Sequence, residues 1–357
     1  MNVKLILSDI TSSAGTERAT INLANNLSKH GYLVTILSLY TTQGTAYFNL
    51  NDSVVIKHLH IRTSRFLILR ILGFFKTFSV LSKNVPQNSD IVLGTNHVHN
   101  FILSLLCLFK PTNKYIGCEH LSYSALTPYS KFLVKLLYRR LDAVVVLTDV
   151  DKLNFNKNVP TVLCETIPNE LSFYPPDPSP CDNKILLAIG RYTYQKGFDL
   201  LIDLAALALK DNPGWVLNIV GDGELKNDLT TQITRYDLRD RIFLIPPTKN
   251  ILDFFLESSI YLMTSRYEGL PMVLLEAKAC GLPVIAYDCP TGPRELIKDD
   301  DGILIQMNDS EAFLKNLLLL IGDESKRKQL GRNARVNSMD YNSDTVYQKW
   351  ESLFSKL

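Results

Sequence analysis

Residues 265–281 are the stretch that most constrains the fold, because a strand must pass into a helix there within a short loop. The apolar residues 260–263 predict a buried strand, and Glu268 follows where that strand ends. Pro271 suits a first helical turn, where its missing N–H costs little, and Gly281 suits a left-handed helix cap. A strand that feeds directly into a helix is typical of an α/β fold with a parallel sheet.

The same stretch carries groups suited to a charged ligand. In an open parallel sheet, the loops after the strands border the ligand crevice, and a helix N-terminus there attracts phosphate. Glu268 and Glu276 flank this N-terminus and would repel a bare diphosphate. A diphosphate that carries sugars is different, because each carboxylate can accept hydrogen bonds from a pair of hydroxyls. An amphipathic helix with two solvent-facing acids explains the glutamate pair, taken alone, equally well.

A second strand-to-helix turn carries two cations. The strand predicted over residues 184–189 is followed by Gly190, Arg191 and then Lys196, after which a helix begins. Two cations beside a helix N-terminus form a clamp for a diphosphate. Plain solvent exposure is the alternative explanation for two basic residues in a loop.

Apolar runs without alternation recur along the chain and are typical of strands in a parallel sheet covered on both faces. The predicted strands are residues 3–8, 32–39, 54–58, 91–94, 114–118, 143–147, 161–164, 184–189, 215–220, 241–245 and 260–263. Helical patterns separate them, and residues 309–321, 325–337 and 343–357 are predicted helices. The pattern predicts an α/β fold.

The length of 357 residues suffices for two domains, each with its own core. Four prolines within six residues mark a linker over residues 173–182. We therefore expect one domain over residues 1–172 and a second over residues 183–342.

The full pattern favours ligand binding over the alternatives. Ser-Arg-Tyr-Glu-Gly-Leu-Pro-x-Val-Leu-Leu-Glu-Ala-x-Ala-Cys-Gly-Leu-Pro, in which Glu268 and Glu276 are separated by seven residues, resembles the signature of the retaining GT-B glycosyltransferases of family 4. Gly-Arg-x-x-x-x-Lys-Gly at residues 190–197 resembles the phosphate-binding turn of that family, and residues 288–302 resemble its downstream segments. The resemblance covers nearly the whole chain.

The resemblance implies a GT-B fold, in which two Rossmann-like domains face each other across a cleft. Residues 1–172 would bind the acceptor and residues 183–342 the nucleotide sugar. The last helix of family members commonly crosses back onto the first domain. Residues 343–357 carry an apolar stripe that allows this, formed by Tyr347, Trp350 and Phe354.

The resemblance also implies roles for individual residues. Glu276 would bind the ribose hydroxyls and Glu268 the donor sugar, while Arg191 and Lys196 would hold the diphosphate. The expected donor-binding residues are Gly15, Arg191, Lys196, Gly269, Leu270 and Glu276, and the expected catalytic residues are His120 and Glu268.

Gly15 and His120 come from loops of the first domain. The loop around Gly15 lacks G-x-G-x-x-G, which argues against a dinucleotide fingerprint. It resembles the glycine-containing first loop of the family, with Ala14 in place of the first glycine. His120 follows a predicted strand, and an aligned histidine in the family lines the acceptor and hexose side of the cleft. A lone histidine is otherwise more often structural.

Metal sites have little support in the sequence. His97 and His99 follow a strand end without a third ligand, so we expect acceptor contact or helix capping there. The six cysteines show no CxxC grouping and are interpreted as core residues in a reducing compartment. Asp299, Asp300 and Asp301 are interpreted as a solvated loop. No metal and no cofactor are therefore expected, and a UDP-sugar is the expected co-substrate.

The charge is uneven along the chain. Residues 1–172 hold 17 lysines and arginines against 10 aspartates and glutamates, and the remaining residues hold 21 against 26. Two basic clusters in the first half are interleaved with Phe, Leu and Tyr, as in helices that lie on anionic membranes. An ordinary sheet-covering helix with a charged outer face is the alternative for either cluster. The clusters are Arg62, Arg65, Arg70 and Lys76, and Lys131, Lys135, Arg139 and Arg140.

We expect no signal peptide, because the first apolar run is short, and no bilayer-spanning segment, because no apolar run reaches about 20 residues. We expect a cytoplasmic protein that makes peripheral contact with the inner face of the cell membrane. At a net charge of +2, a nucleic-acid partner has little support.

The predicted activity is transfer of a hexose or N-acetylhexosamine from a UDP-sugar, with retention of configuration and without a metal. The expected acceptor is a hydroxyl of a lipid-linked oligosaccharide or of a lipopolysaccharide or polysaccharide intermediate. A sugar-nucleotide epimerase or a glycoside phosphorylase of the same architecture is the nearest alternative. A glycosidase or a non-catalytic sugar-binding protein is more remote.

Overall fold

The structure, a computed structural model, describes residues 1–40, 44–61, 67–88 and 90–357, without the side chains of residues 67–72. The chain divides into two compact units. The first unit comprises Met1–Ser172 and Ser343–Leu357, and the second comprises Phe173–Asn342. The proline-rich residues 173–182 therefore belong to the second unit.

The first unit is built on a parallel sheet of seven strands within the described residues, in the order β3-β2-β1-β4-β5-β6-β7. The strands are β1 (Asn2–Leu7), β2 (Leu33–Ser38), β3 (Val55–His58), β4 (Ile91–Gly94), β5 (Lys114–Glu119), β6 (Ala143–Val146) and β7 (Leu163–Thr166). The central strand β1 pairs on both sides, with Val3 opposite Val34 of β2 and Ile91 of β4.

Helices of the first unit connect these strands and cover the sheet. They are α1 (Gly15–Lys29), α2 (Leu67–Asn84), α3 (His97–Leu106), α4 (Pro128–Leu137), α5 (Asp149–Asn158) and, from the C-terminus, α13 (Ser343–Phe354), with 3-10 turns at Tyr123–Ala125 and Tyr138–Arg140. Trp350 and Phe354 of α13 are buried in the core of this unit, together with Ile21 of α1 and Leu5 of β1.

The second unit is built on a parallel sheet of six strands, in the order β10-β9-β8-β11-β12-β13. The strands are β8 (Ile185–Ile189), β9 (Val216–Val220), β10 (Ile242–Ile245), β11 (Ile260–Met263), β12 (Val284–Asp288) and β13 (Gly302–Gln306). The order places β8 and β11 side by side, so the loops that follow them meet at one edge of the sheet.

Helices of the second unit also alternate with the strands. They are α6 (Phe198–Lys210), α7 (Lys226–Arg235), α8 (Ile251–Glu257), α9 (Met272–Ala279), α10 (Pro293–Leu296), α11 (Ser310–Gly322) and α12 (Glu324–Ser338), with 3-10 turns at Tyr194–Lys196 and Met339–Tyr341. Helix α12 packs closely against the chain just after α9, because a Cβ added to Gly331 would lie 2.0 Å from the carbonyl oxygen of Gly281.

The structure confirms the prediction of an α/β protein with parallel sheets. The predicted strands are found, with shifts of one or two residues at their ends. The sequence analysis did not identify β12 and β13, which follow the motif helix. Pro271 precedes the first turn of α9 as its N-cap residue, and Gly281 adopts the predicted left-handed conformation with φ +76°.

Within the described residues, every helix is too short or too polar to cross a bilayer. Of the first basic cluster, Arg62, Arg65 and the side chain of Arg70 lie outside the described part of the chain.

Candidate functional site

Two predicted site residues of the second unit are in direct contact. The ammonium Nζ of Lys196 lies 2.7 Å from Oε1 of Glu268, and both side chains are largely buried. Lys196 ends the 3-10 turn after β8, and Glu268 lies in the loop after β11. Because these strands are neighbours in the sheet, residues 72 positions apart in sequence share one site.

Two glycines leave the space that the side chain and the turn of Lys196 occupy. The stem of Lys196 crosses Gly190, where an added Cβ would lie 3.0 Å from Cε of the lysine. Gly197 has φ +63°, and a Cβ there would lie 2.2 Å from the carbonyl oxygen of Thr264. The hydroxyl of Thr264 donates to the Gly197 carbonyl at 2.8 Å. The Gly-Arg-x-x-x-x-Lys-Gly spacing therefore permits close packing of the turn against the loop after β11.

Arg266 joins the same two loops. Its guanidinium makes a bidentate ion pair with Asp199 in the first turn of α6, at 2.9 and 2.6 Å. It also donates to the Tyr194 carbonyl at 2.8 Å and stacks on the Tyr194 ring at 4.1 Å. Burial raises the pKa of Asp199, but the hydrogen bonds and charge of Arg266 outweigh it and lower that pKa overall. The turn that carries Lys196 is thus held against the loop that carries Glu268.

The motif glutamates are both buried. Glu276 is fully buried on α9 and Glu268 nearly so, which excludes the alternative of two solvent-facing acids. Burial raises the pKa of the Tyr261 hydroxyl well above its usual range, and the charges of both glutamates add to the shift. Tyr261 therefore stays a neutral hydroxyl beside two carboxyl groups.

The loop after β12 packs against Glu268 from the other side. The Thr291 hydroxyl donates to the Glu268 carbonyl at 2.6 Å. Gly292 has φ +75°, and a Cβ there would lie 2.2 Å from the carbonyl oxygen of Gly269. Leu270 is buried, so Gly269 and Leu270 form a closely packed entry to α9.

The side chain of Arg191 is more exposed to solvent than that of Lys196. Its side chain is exposed at the start of the turn after β8. The exposed guanidinium can approach a ligand from solvent. Plain solvent exposure, the alternative explanation for this residue, predicts the same position.

Gly15 and His120 belong to the first unit. Gly15 is the first residue of α1, and a Cβ there would meet no atom within 4 Å. His120 follows β5 and borders a cavity that also contacts Thr20, Asn169 and Glu170. Its Nδ1 is buried and has no hydrogen-bond partner within the described residues. Burial lowers the pKa of His120 to about 4, so the ring is neutral near pH 7.

A buried carboxyl group precedes His120. Glu119 accepts hydrogen bonds from Nδ2 of Asn100 at 2.7 Å and from the hydroxyl of Tyr138. Burial raises the pKa of Glu119 to about 7, against the two hydrogen bonds that lower it. On the other side of His120, Asp151 of α5 accepts a hydrogen bond from the Ser122 hydroxyl at 2.9 Å. This bond anchors the loop that follows His120.

His97 and His99, for which acceptor contact or helix capping was expected, lie in the first turn of α3. The helix is capped by Asn96, whose side-chain oxygen accepts from the backbone N–H of His99 at 3.0 Å, so the histidine side chains are not the cap. The ring of His99 is buried among Ser8, Thr95 and Asn96, and burial, with the charge of His97, lowers its pKa to about 3. Nowhere in the described ranges do three His, Cys, Asp or Glu side chains converge as metal ligands.

Comparison with known proteins identifies the family. The profile of the glycosyl transferases group 1 matches residues 175–337, and that of glycosyltransferase family 4 matches residues 13–169. The amylovoran biosynthesis glycosyltransferase AmsD of Erwinia amylovora is 34% identical, over 98% of this chain and 99% of the relative. The chain belongs to the family 4 glycosyltransferases.

A second relative is 28% identical to this chain, and the match covers 100% of this chain and 99% of the relative. It is an alpha-1,4-N-acetyl-D-galactosaminyltransferase of Campylobacter jejuni that acts on a saccharide linked to PP-undecaprenol.

Solved structures support the fold. The pneumococcal O-GlcNAc transferase GtfA, in complex with UDP and GlcNAc, superposes with a TM-score of 0.83 at 16% identity, over 100% of this chain and 99% of that chain. A protein of Anabaena in complex with UDP and glucose gives 0.78 at 18% identity, over the full length of both chains. These likenesses show the GT-B fold. The predictions of a GT-B glycosyltransferase and of a transferase activity are confirmed.

One interpretation of the glycosyltransferase sequence was wrong. Asp301 is fully buried, not solvated, and accepts a hydrogen bond at 2.7 Å from the ammonium of Lys278 on α9. Asp299 and Asp300 are exposed as expected. The Gly302 that follows Asp301 begins β13, so the last acid of the cluster lies directly before a strand of the sheet.

Sequence analysis also missed the residues that brace the site. Arg266 and Asp199 each lie within two or three residues of a motif position, but their pairing joins two loops far apart in sequence. The sequence showed only that each motif has a further charged residue beside it. The pairing of these two residues depends on the adjacency of β8 and β11 in the sheet.

Proposed function

We propose that this family 4 glycosyltransferase moves a hexose or N-acetylhexosamine from a UDP-sugar to a hydroxyl of a lipid-linked oligosaccharide or of a lipopolysaccharide or polysaccharide intermediate. The transfer retains the anomeric configuration and needs no metal. The contact between Lys196 and Glu268 carries the proposal. It joins a cation suited to a diphosphate and a carboxylate suited to sugar hydroxyls at one site of the second unit.

In this mechanism Lys196 and Arg191 bind the diphosphate. The N-terminus of α9, which follows Gly269 and Leu270, adds its partial positive charge. These groups stabilise the negative charge that grows on the leaving UDP, which is the task a metal performs in other enzymes. Binding of the diphosphate draws Lys196 from Glu268, and the freed carboxylate accepts hydrogen bonds from the donor sugar.

Glu276 binds the ribose hydroxyls in this proposal. A fully buried carboxylate on α9 is fixed in position before the donor arrives, and a diol that donates two hydrogen bonds satisfies it well. The UDP found in the pneumococcal and Anabaena proteins supports uridine as the base.

The acceptor is bound by the first unit. His120 is held neutral by burial, so it acts near pH 7 as a hydrogen-bonding group beside the reacting hydroxyl and not as a cation. Gly15 leaves open space at the start of α1, which allows a ligand to approach the backbone closely.

A lipid-linked acceptor is supported by the Campylobacter relative and by the surface of α4. Tyr129 is 71% exposed and Phe132 is 62% exposed, and Leu136 follows on the same face. Lys135 and Arg139 are exposed on this face as well. Exposed aromatic residues among cations are typical of a helix that lies on an anionic membrane surface.

Donor binding is tested by thermal stability against UDP-, GDP- and ADP-sugars. We expect a selective rise in Tm with one UDP-sugar for the wild type, lost in Lys196→Ala and in Glu276→Ala. Transfer measured with EDTA tests metal independence, and the anomer of the product tests retention. A rise with GDP- or ADP-sugars alone would contradict the UDP assignment, and formation of an epimer without acceptor would contradict transfer.

Membrane contact is tested by sedimentation with anionic vesicles. We expect binding in low salt that is lost in high salt, and lost in the double variant Tyr129→Ser/Phe132→Ser. Leu153→Ser is the matched control, since Leu153 is 70% exposed on α5 of the same unit. Equal binding of the three proteins, or no binding at all, would refute the contact.

A further inference from the structure

A fully buried ion pair lies on the motif helix. The side chains of Lys278 and Asp301 are 1% and 0% exposed, and Nζ of Lys278 lies 2.7 Å from Oδ2 of Asp301. The same ammonium donates to the carbonyl oxygen of Leu296, the last residue of α10. Lys278 follows Glu276 by two positions on α9.

Asp301 joins further elements to this pair. Its Oδ1 accepts from the backbone N–H of Lys298 at 2.9 Å, and its Oδ2 accepts from Nδ2 of Asn337 on α12 at 2.7 Å. The pair therefore connects α9, the end of α10, the start of β13 and α12 through hydrogen bonds.

Stability alone does not explain such a pair. Two charges lose most of their hydration on burial, and well-packed apolar residues of similar volume often stabilise a protein equally or better. Burial lowers the pKa of Lys278, and the hydrogen bond from Lys278 to Asp301 opposes this shift. What apolar residues cannot replace is the directional bond from Lys278 to the Leu296 carbonyl.

The hydrogen bond from Lys278 to Leu296 is connected to the candidate donor site through α10. Lys278 holds the last residue of this four-residue helix, and Gly292 at its other end packs against Gly269. Thr291 beside it donates to the Glu268 carbonyl at 2.6 Å. The two motif glutamates are thus linked through α9, Lys278 and α10, as well as through the chain between them.

We propose that Lys278 is a positioning residue for the donor site, because its bonds to Leu296 and Asp301 fix the loop of Glu268 relative to Glu276 on α9. The inference rests on the proposed donor site. Lys278 makes no contact with the donor in this proposal and acts only through the position of α10.

The test uses the double variant Lys278→Met/Asp301→Leu, in which both buried positions become apolar. Removing one partner alone would leave an uncompensated buried charge. Lys278→Gln/Asp301→Asn is the milder second variant, since it removes both charges together and keeps side chains that can form hydrogen bonds. Lys298→Met/Asp340→Leu is the matched control, because this neighbouring pair is 55% and 67% exposed.

Two readouts separate positioning from stability. We expect the double variant to keep a Tm close to that of the wild type, but to show faster amide hydrogen exchange in residues 266–276 and 289–297 and about tenfold weaker UDP binding. Lys278→Gln/Asp301→Asn should give a smaller change of the same sign, and the control none.

Unchanged exchange in residues 266–276 of the folded variants would overturn the inference, and so would unchanged UDP affinity. Hydrogen exchange is measured on the free protein, so it decides the inference even if the wild type binds no UDP. Failure of the wild type to bind UDP would instead refute the proposed donor.

Discussion

The ammonium of Lys196 lies 2.7 Å from a carboxylate oxygen of Glu268, and each group is the other's ion-pair partner in the free protein. The pair keeps a buried carboxylate compensated until a ligand arrives. In the proposed mechanism, the donor diphosphate would become the partner of Lys196 and the donor sugar the partner of Glu268. A diphosphate or a sugar alone would leave one of the two groups uncompensated.

Lys196→Met removes the cation and leaves Glu268 buried without its ion-pair partner. We expect a loss of about 1–3 kcal/mol of unfolding free energy and loss of donor binding. The double variant Lys196→Met/Glu268→Gln should recover the stability, measured by urea denaturation, but not the affinity. Wild-type donor affinity in Lys196→Met would contradict the assignment of the diphosphate site.

Arg266→Lys should weaken donor binding although the charge is kept. A lysine cannot reproduce the bidentate contact with Asp199 or the stacking on Tyr194, so the turn of Lys196 loses its brace. We expect about tenfold weaker UDP binding by calorimetry. Lys328→Met, which breaks an exposed pair with Glu324, is the control and should bind UDP normally.

Gly15→Ala separates folding from ligand approach. A Cβ at Gly15 meets no atom, so the variant should be as stable as the wild type or more stable by about 0.5–1 kcal/mol. If the glycine serves a ligand, substrate affinity should fall. Gly292→Ala is the contrasting variant and should lose stability, since its Cβ would lie 2.2 Å from a carbonyl oxygen at φ +75°. Unchanged substrate affinity in Gly15→Ala would remove Gly15 from the site.

Glu119 should make the first unit less stable as the pH rises. Burial raises its pKa from 4.5 to about 7, with a smaller contribution from Asp151, so between these values the native state holds a proton that the unfolded chain has lost. Stability should therefore fall over this range in the wild type relative to Glu119→Gln, which cannot ionise. Urea midpoints at about pH 5 and about pH 8 measure the difference, and parallel curves would contradict the raised pKa.

His120 should leave no ionisation in the pH profile near neutrality. With a pKa of about 4, it stays neutral above about pH 5. We expect His120→Gln to reduce kcat by about 100-fold without changing the shape of the kcat/KM profile above that pH. A limb near pH 6.5 that is present in the wild type and absent in the variant would show a titrating histidine.

Local sequence signals identified most of the fold and the main groups of the candidate site. Unbroken apolar runs predicted the strands, and Gly197 and Gly281 marked helix boundaries because their left-handed backbone needs glycine. The spacing of Glu268 and Glu276 predicted a loop and helix that carry two acids. Each of these signals lies within a few neighbouring residues, where propensity and backbone sterics act.

Long-range pairing was decided by the tertiary structure. The adjacency of β8 and β11 brings Lys196 to Glu268 and Arg266 to Asp199, and no local pattern specifies which strands are neighbours. Asp301 shows the same limit, since three consecutive acids are typical of a solvated loop. Its burial is made favourable by the ammonium of Lys278, with hydrogen bonds from Lys298 and Asn337. The sequence by itself determined which chemical groups the protein has, and the packing of its sheets and helices determined their partners, because burial and electrostatic contact depend on distances in space.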